Sequence, residues 1–192
     1  MENTEYYDGY RSLFLSLKEI IKETEQQAIL EENEFFNKNI NFFVKSYLIT
    51  LCTYLESYLT EVATWHCDTI NRRLKAACLP HNFLLWRVKK DVKDKELKYI
   101  DADLKVEKSE VSDSLSGNPY KTIKAFSYLG VNLLNSAEFN ANKDVVNAVV
   151  VKRNNIIHHN DNANDISLTD VSGYVDLFVS YMAVIDNMVC GK

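Results

Sequence analysis

The sequence predicts an all-α fold, a bundle of five or six helices with a long second helix. Three observations carry this. Apolar residues recur at i, i+3, i+4 and i+7 over several long stretches, the period of a half-buried helix. Glycine and proline number only five and two, too few for the frequent turns of an all-β chain. Helix-start signals stand where the periodic stretches begin, at Asn118-Pro119 and at Ser167. The length, 192 residues, suits a single domain spanning 1–192.

The first helix is expected over about Glu5 to Glu31, where Tyr6, Tyr10, Leu13, Leu17, Ile20 and Ile21 are helically spaced. A second helix is expected from about Phe35 to Lys75. Phe43, Tyr47, Leu51, Tyr54, Leu55, Tyr58, Leu59 and Val62 give it a wide apolar face, and no Gly or Pro interrupts it. Unbroken, it would run about 60 Å, long enough to bend or to project toward an interface. Glu56 and Glu61 lie within it, and acids so placed are most often solvated or paired with a basic neighbour.

Pro80 ends this region. An apolar cluster follows at Phe83, Leu84, Leu85, Trp86 and Val88, then the lysine-rich run Lys89 to Lys98. Acids nearly balance the lysines there, which favours a solvated surface over an RNA-contacting patch. The segment to Ser116 fits a short helix or a loop. Asn118 as N-cap and Pro119 at the first helical position then open a helix that runs to about Leu129 and stops at Gly130. Val131 to Asn142 reads as a connector, and the next helix is expected from about Lys143. It gives way to a polar loop, His159 to Asp165. Ser167-Leu168-Thr169-Asp170 matches a capping box and starts the last helix, which runs to about Val189 on the stripe Val171, Val175, Phe178, Val179, Met182, Ile185 and Val189.

Composition bounds the function. A net charge of −5 argues against a general nucleic-acid binder, though not against an enzyme that touches one phosphate. The four cysteines form no CxxC pair and no zinc spacing, as expected of reduced thiols in a cytoplasmic protein. The acidic, polar start MENTEYYDGY does not read as a signal peptide, and no apolar run approaches a membrane span. No Gly-rich phosphate loop supports nucleotide binding. Neither a cofactor nor a metal is implied.

Functional side chains concentrate in Val145 to Asn160, VVNAVVVKRNNIIHHN. At 100° per residue, Val145, Val146, Val149, Val150, Ile156 and Ile157 share one face, with Arg153 near its centre. A charge in an apolar stripe must be paired or must reach an interface or cavity. Asn154 and His158, four apart, share a different face. Arg153 and His158, five apart, point well away from each other. If both act on one substrate, the helix is distorted or ends there, or two copies of the chain supply complementary parts about a twofold axis.

Arg153-Asn154-Asn155-Ile156-Ile157-His158 resembles the Arg-Asn-x-x-x-His motif of the HEPN superfamily (higher eukaryotes and prokaryotes nucleotide-binding domains). The wider pattern is similar to HEPN proteins of the RiboL-PSP-HEPN or MAE_28990/MAE_18760-like kind. Asn118-Pro119 with its helix and Leu129-Gly130 carries that likeness, as do the polar loop, the Ser-Leu-Thr-Asp helix start, and Ser46 to Glu61. The resemblance covers roughly 40 to 190 and implies a single HEPN-like helical domain over 1–192, in which the N-terminal helix, 1–35, is the part it marks least. His159 departs from the pattern, since many members carry a small residue there, and leaves open which histidine acts. The resemblance implies a metal-independent endoribonuclease with its site at a homodimer interface, acting on RNA as a toxin or defence component restrained by an antitoxin-like protein partner. Arg153, His158 and Asn154 would form the catalytic set, with His159 as alternate acid or base. Two plainer readings stand beside it. Arg153 can be a structural arginine paired with a core acid, and His158 and His159 can simply favour a helix C-terminus. The chain would then be a non-catalytic helical interaction or dimerisation module.

Overall fold

The computed structural model describes residues 3–159 and 161–191; Asn160, the last residue of the stretch singled out above, lies outside them. Among the described residues the chain is all-α: eight α-helices, short 3-10 and π turns, and no strand beyond one isolated bridge between Pro80 and Asp101. Five helices have ten residues or more, which is the expected bundle; three short ones add to it.

Helix α1 (Glu5–Glu25) starts at Thr4, whose hydroxyl caps Tyr7 N at 3.1 Å, and ends in a π turn, Gln26–Leu30. Tyr7, Phe14, Leu17 and Ile21 form its buried stripe. The stripe packs on helices α3 (Ile40–Ala76) and α8 (Leu168–Val189), so the N-terminal helix is part of the core. Where one helix was expected from Phe35, there are two, α2 (Glu34–Lys38) and α3 (Ile40–Ala76), separated by Asn39. The Asn39 side-chain amide donates to Phe35 O at 2.8 Å, and its φ of −105° leaves the helical region. An asparagine side chain that competes for backbone carbonyls breaks a helix in this way. Phe36, Phe43 and Tyr47 stack in sequence and bridge the break.

Helix α3 is 37 residues long, about 56 Å at 1.5 Å per residue. Val44, Leu48, Leu51, Leu55, Tyr58, Leu59 and Val62 are buried along it. Each such side chain contributes roughly 1.5–3 kcal/mol by leaving water. Its far end is dressed by the chain after Pro80: helix α4 (His81–Val88), a loop, and helix α5 (Lys108–Ser114). Asn71, buried near that end, donates to Asp103 Oδ1 and accepts from Leu104 N, both at 2.9 Å.

Helix α6 (Pro119–Tyr128) opens as expected, with Asn118 Oδ1 accepting from Tyr120 N and Lys121 N. It stops at Gly130, whose φ of 78° lets Val131 N reach back to Phe126 O at 2.9 Å. The next helix, α7 (Ala137–His159), begins six residues earlier than its apolar pattern suggests. Ser136 is the reason: its hydroxyl accepts from Phe139 N at 3.1 Å, an N-cap that the intervening asparagines obscure. Fully buried Phe139 stacks on Tyr181 of α8 at 5.0 Å and fixes the extra turns.

Helix α8 (Leu168–Val189) starts at the expected capping box. It packs on α1, α3 and α7, which makes it the centre of the bundle. By length and composition it could cross a bilayer, contrary to the expectation that no run is so apolar. Ten of its side chains are instead buried within the protein. One is Asp186, fully buried, which accepts from Thr4 N at 3.0 Å, from the Thr4 hydroxyl and from Tyr58 OH. Those donors offset the cost of removing a carboxylate from water.

Candidate functional site

The stretch singled out by sequence forms the last four turns of α7. Val146, Val149, Val150 and Ile156 are buried, while Val145 and Ile157 are 46% and 48% exposed. These two were expected on the packed face. Val145 stands at its edge, and Ile157 lies in the final turn. Arg153 falls at the middle of the buried face, with its side chain 13% exposed.

The partner that such burial requires is Glu56 of α3: Arg153 Nη2 donates to Glu56 Oε1. The same oxygen accepts from Gly117 N at 3.1 Å. A Cβ at Gly117 would stand 3.2 Å from Val150 Cγ2, tighter than ordinary packing, and at the edge of ordinary contact, 3.4 Å, from Glu56 Cγ and Oε1. Cys52, one turn before Glu56, lies beside the guanidinium. Burial pushes its thiol up to about 11, and the nearby Arg153 charge pulls the other way without prevailing. Arg153 Nε is buried with no hydrogen-bond partner among the described residues, so one donor of the fork is unspent.

The loop ahead of α6 is clipped to α7 as well. Asn118 Nδ2 donates to Asn147 Oδ1 at 3.1 Å, and Tyr120 OH to Asp144 Oδ1 at 2.8 Å. Two features that the sequence shows far apart, the Asn-Pro helix start and the motif helix, are thus halves of one assembly closed by Glu56. On the other side of Glu56 lies an open polar cleft of about 400 Å³, walled by Tyr10, Ser57, Thr60, Lys108 and Ser116.

The remaining candidates point elsewhere. Asn154 is half-buried, and His158 and His159 are exposed; none makes a hydrogen bond or ion pair with a described residue. The helix stays regular through His159, so about 140° separates Arg153 from His158 around its axis. Helix distortion, one way of bringing them together, is absent. Lys152 braces the end of the helix. Its ammonium donates to Asp161 Oδ2, Asn162 O and Asp165 Oδ1 at 3.0, 2.7 and 2.8 Å, and Ala163 N donates to Asn41 Oδ1 on α3. Among the described residues no three His, Cys, Asp or Glu side chains are grouped to hold a metal ion.

Sequence reasoning therefore found Arg153 and its need for a partner but missed Glu56 as that partner, together with Gly117 and Lys152. The only signal for Glu56 is an acid on an apolar helix, and 97 residues separate it from the arginine.

The chain matches the model of the RiboL-PSP-HEPN family over residues 13–191. No curated protein and no solved structure matches it.

Proposed function

Since the chain belongs to the RiboL-PSP-HEPN family, we propose that it is a metal-independent endoribonuclease whose site is completed across a homodimer. The observation that carries this reading is the placement of Arg153. An ion pair in a packed face is rarely the cheapest filling, because apolar residues of similar volume serve stability as well or better. This arginine nevertheless stands at the centre of the face, with a buried donor left unpaired, five residues before an exposed histidine. Buried polar groups that packing does not need are characteristic of functional sites.

The chemistry follows from the side chains. The RNA 2′-oxygen attacks its own phosphorus and the bond to the 5′-oxygen breaks, leaving a 2′,3′-cyclic phosphate and a 5′-hydroxyl. His158, or His159 as alternate, takes the 2′-hydroxyl proton or gives one to the leaving oxygen. Arg153 stabilises the extra charge on the phosphoryl oxygens, held by Glu56 as a positioning residue. Asn154 orients a phosphate oxygen or the imidazole. One protomer aims Arg153 and His158 apart, so one phosphate is served by the arginine of one chain and the histidine of the other. Exposed Val151, on the side of α7 that His158 shares, supports pairing of two such helices. A toxin or defence role in the cytoplasm, restrained by a protein partner, belongs to the same proposal.

A second reading is favoured by one observation. Arg153 is largely covered and its charge is met by Glu56, as in a non-catalytic interaction module. Incubating RNA with the purified protein and a chelator separates the two. The nuclease yields cyclic-phosphate ends, and Arg153→Ala and His158→Ala each lower the rate by about 10²-fold or more. Loss of all cleavage in chelator contradicts the metal-independent mechanism. Unchanged activity in both variants contradicts the assigned site.

A further inference from the structure

The chain is acidic, but its basic residues are not evenly spread. Between Asn71 and Lys108 there are eleven Lys or Arg and six Asp or Glu, a local balance of +5 in a chain of −5. That segment is the arm of α4 and its loops at the far end of α3. From sequence alone the lysine run reads as solvated because acids nearly match it. The structure allots the acids differently. Asp103, Glu96 and Glu107 are each taken by one lysine, Lys75, Lys89 and Lys105, and Lys108 pairs with Glu61 outside the segment. Arg72, Arg73, Arg87, Lys90, Lys93, Lys95 and Lys98 stay exposed without an acidic partner among the described residues, against three unpaired acids.

Aromatic surface lies within this charge. Phe83 and Trp86, three apart on α4, are 49% and 60% exposed, with ring centroids 6.2 Å apart. The Arg87 guanidinium stands 5.3 Å over the Trp86 ring. Tyr99, 91% exposed, is brought to the start of the same helix because His81 N donates to Ile100 O and Lys98 N to Asn82 Oδ1. Exposed rings beside unpaired cations are what an unpaired nucleic-acid strand requires: π-faces for bases and positive charge for phosphates. A protein partner would need an acidic face matched to the cations as well as apolar groups for the rings, whereas a nucleic-acid strand carries a phosphate and a π-face in every nucleotide.

We propose that the α4 arm is a binding platform for single-stranded RNA, with a base stacked on Trp86 and the lysines around it tracking the backbone. The choice of RNA rests on the nuclease reading above. The arm begins about 22 Å along α3 from Glu56, so it holds a strand flanking the site rather than the bond cleaved.

The test is fluorescence anisotropy of the full chain with a labelled 2′-O-methyl RNA single strand of about 12 nucleotides, which lacks the attacking hydroxyl and stays intact. Trp86→Ala is expected to weaken binding by about 5- to 150-fold, the loss of one base stack, and Trp86→Phe to restore most of it. Changing Lys90 and Lys98 to Gln is expected to weaken binding and to flatten its salt dependence. Equal affinity of wild type and Trp86→Ala, or equal affinity for a duplex of the same length, overturns the platform. So does a Trp86→Ala chain that keeps RNA affinity but loses self-association by sedimentation, which would make the arm a protein interface. Cleavage separates the two proposals. A chain that binds through Trp86 and cuts nothing refutes the nuclease alone, and one that cuts RNA with Trp86→Ala affinity unchanged refutes the platform alone.

Discussion

Replacing Glu56 with Gln tests the structural core of the site without changing its shape. The amide keeps an oxygen for Gly117 N and for Arg153 but removes the charge. Breaking a fully buried ion pair costs about 3–5 kcal/mol, and breaking an exposed one costs at most about 1. Here the arginine side chain is 13% exposed and the glutamate 35%, which places the pair between those limits, at about 1–3 kcal/mol. For a chain of 192 residues, a loss of about 2 kcal/mol lowers the melting temperature by about 4–8 °C. Circular dichroism melts of wild type, Glu56→Gln, Arg153→Met and the Glu56→Gln/Arg153→Met double variant are the assay. Either single change leaves one charge without its counter-charge, whereas the double change removes both charges and keeps an oxygen for Gly117 N. The double variant should therefore melt above the Arg153→Met variant and lose less than the two single changes together. A Glu56→Gln melt within about 1 °C of wild type, or a double variant that loses the sum of the two single losses, would refute the buried pair.

Other outcomes follow from the same geometry. Gly117→Ala puts a Cβ 3.2 Å from Val150 and 3.4 Å from Glu56, and a chemical melt should show a loss of about 1–3 kcal/mol. Ser167→Ala removes the α8 cap and should cost about 1 kcal/mol by the same measurement. The Asp170 carboxyl is held below its usual range first by the Ser167 hydroxyl and then by the Ser167 N–H. Its contribution is present above the ordinary aspartate range and fades as pH falls toward the lowered value. Wild-type stability should thus drop more steeply on acidification below about pH 4 than that of Asp170→Asn. Burial that holds the Cys52 thiol at about 11 keeps it unreactive, so at pH 8 a thiol reagent should label exposed Cys78 at once and reach Cys52 only on unfolding.

What the sequence made legible was local. Asn118-Pro119 and Ser167-Asp170 announce helix starts through short-range hydrogen bonds, and both stand where they were expected. The stripe of α8 and the centring of Arg153 on the packed face of α7 follow from a 100° rotation per residue. What escaped was set by competition or by distance. Asn39 sits in an otherwise continuous helical pattern, and only its bond to Phe35 O shows that it breaks the helix. The start of α7 was hidden because Asn140 and Asn142 dilute the pattern, while Phe139 supplies the compensating contact from α8. The pairing of Glu56 with Arg153 spans two helices and is invisible to periodicity. The requirement for such a partner was visible nonetheless, because a buried guanidinium cannot stand alone.

The central claim, that Arg153 of one chain serves the same phosphate as His158 of another, is tested most directly by mixing two inactive variants. Arg153→Ala and His158→Ala proteins are purified, exchanged into mixed dimers and assayed on RNA with a chelator present. A mixed dimer holds one composite site with both changes and one with neither. Random mixing should then restore about a quarter of wild-type activity, because half the dimers are mixed and each has one working site. Mixed dimers that form and stay as inactive as either parent would contradict the account, since a site drawn from a single chain would be damaged in every copy.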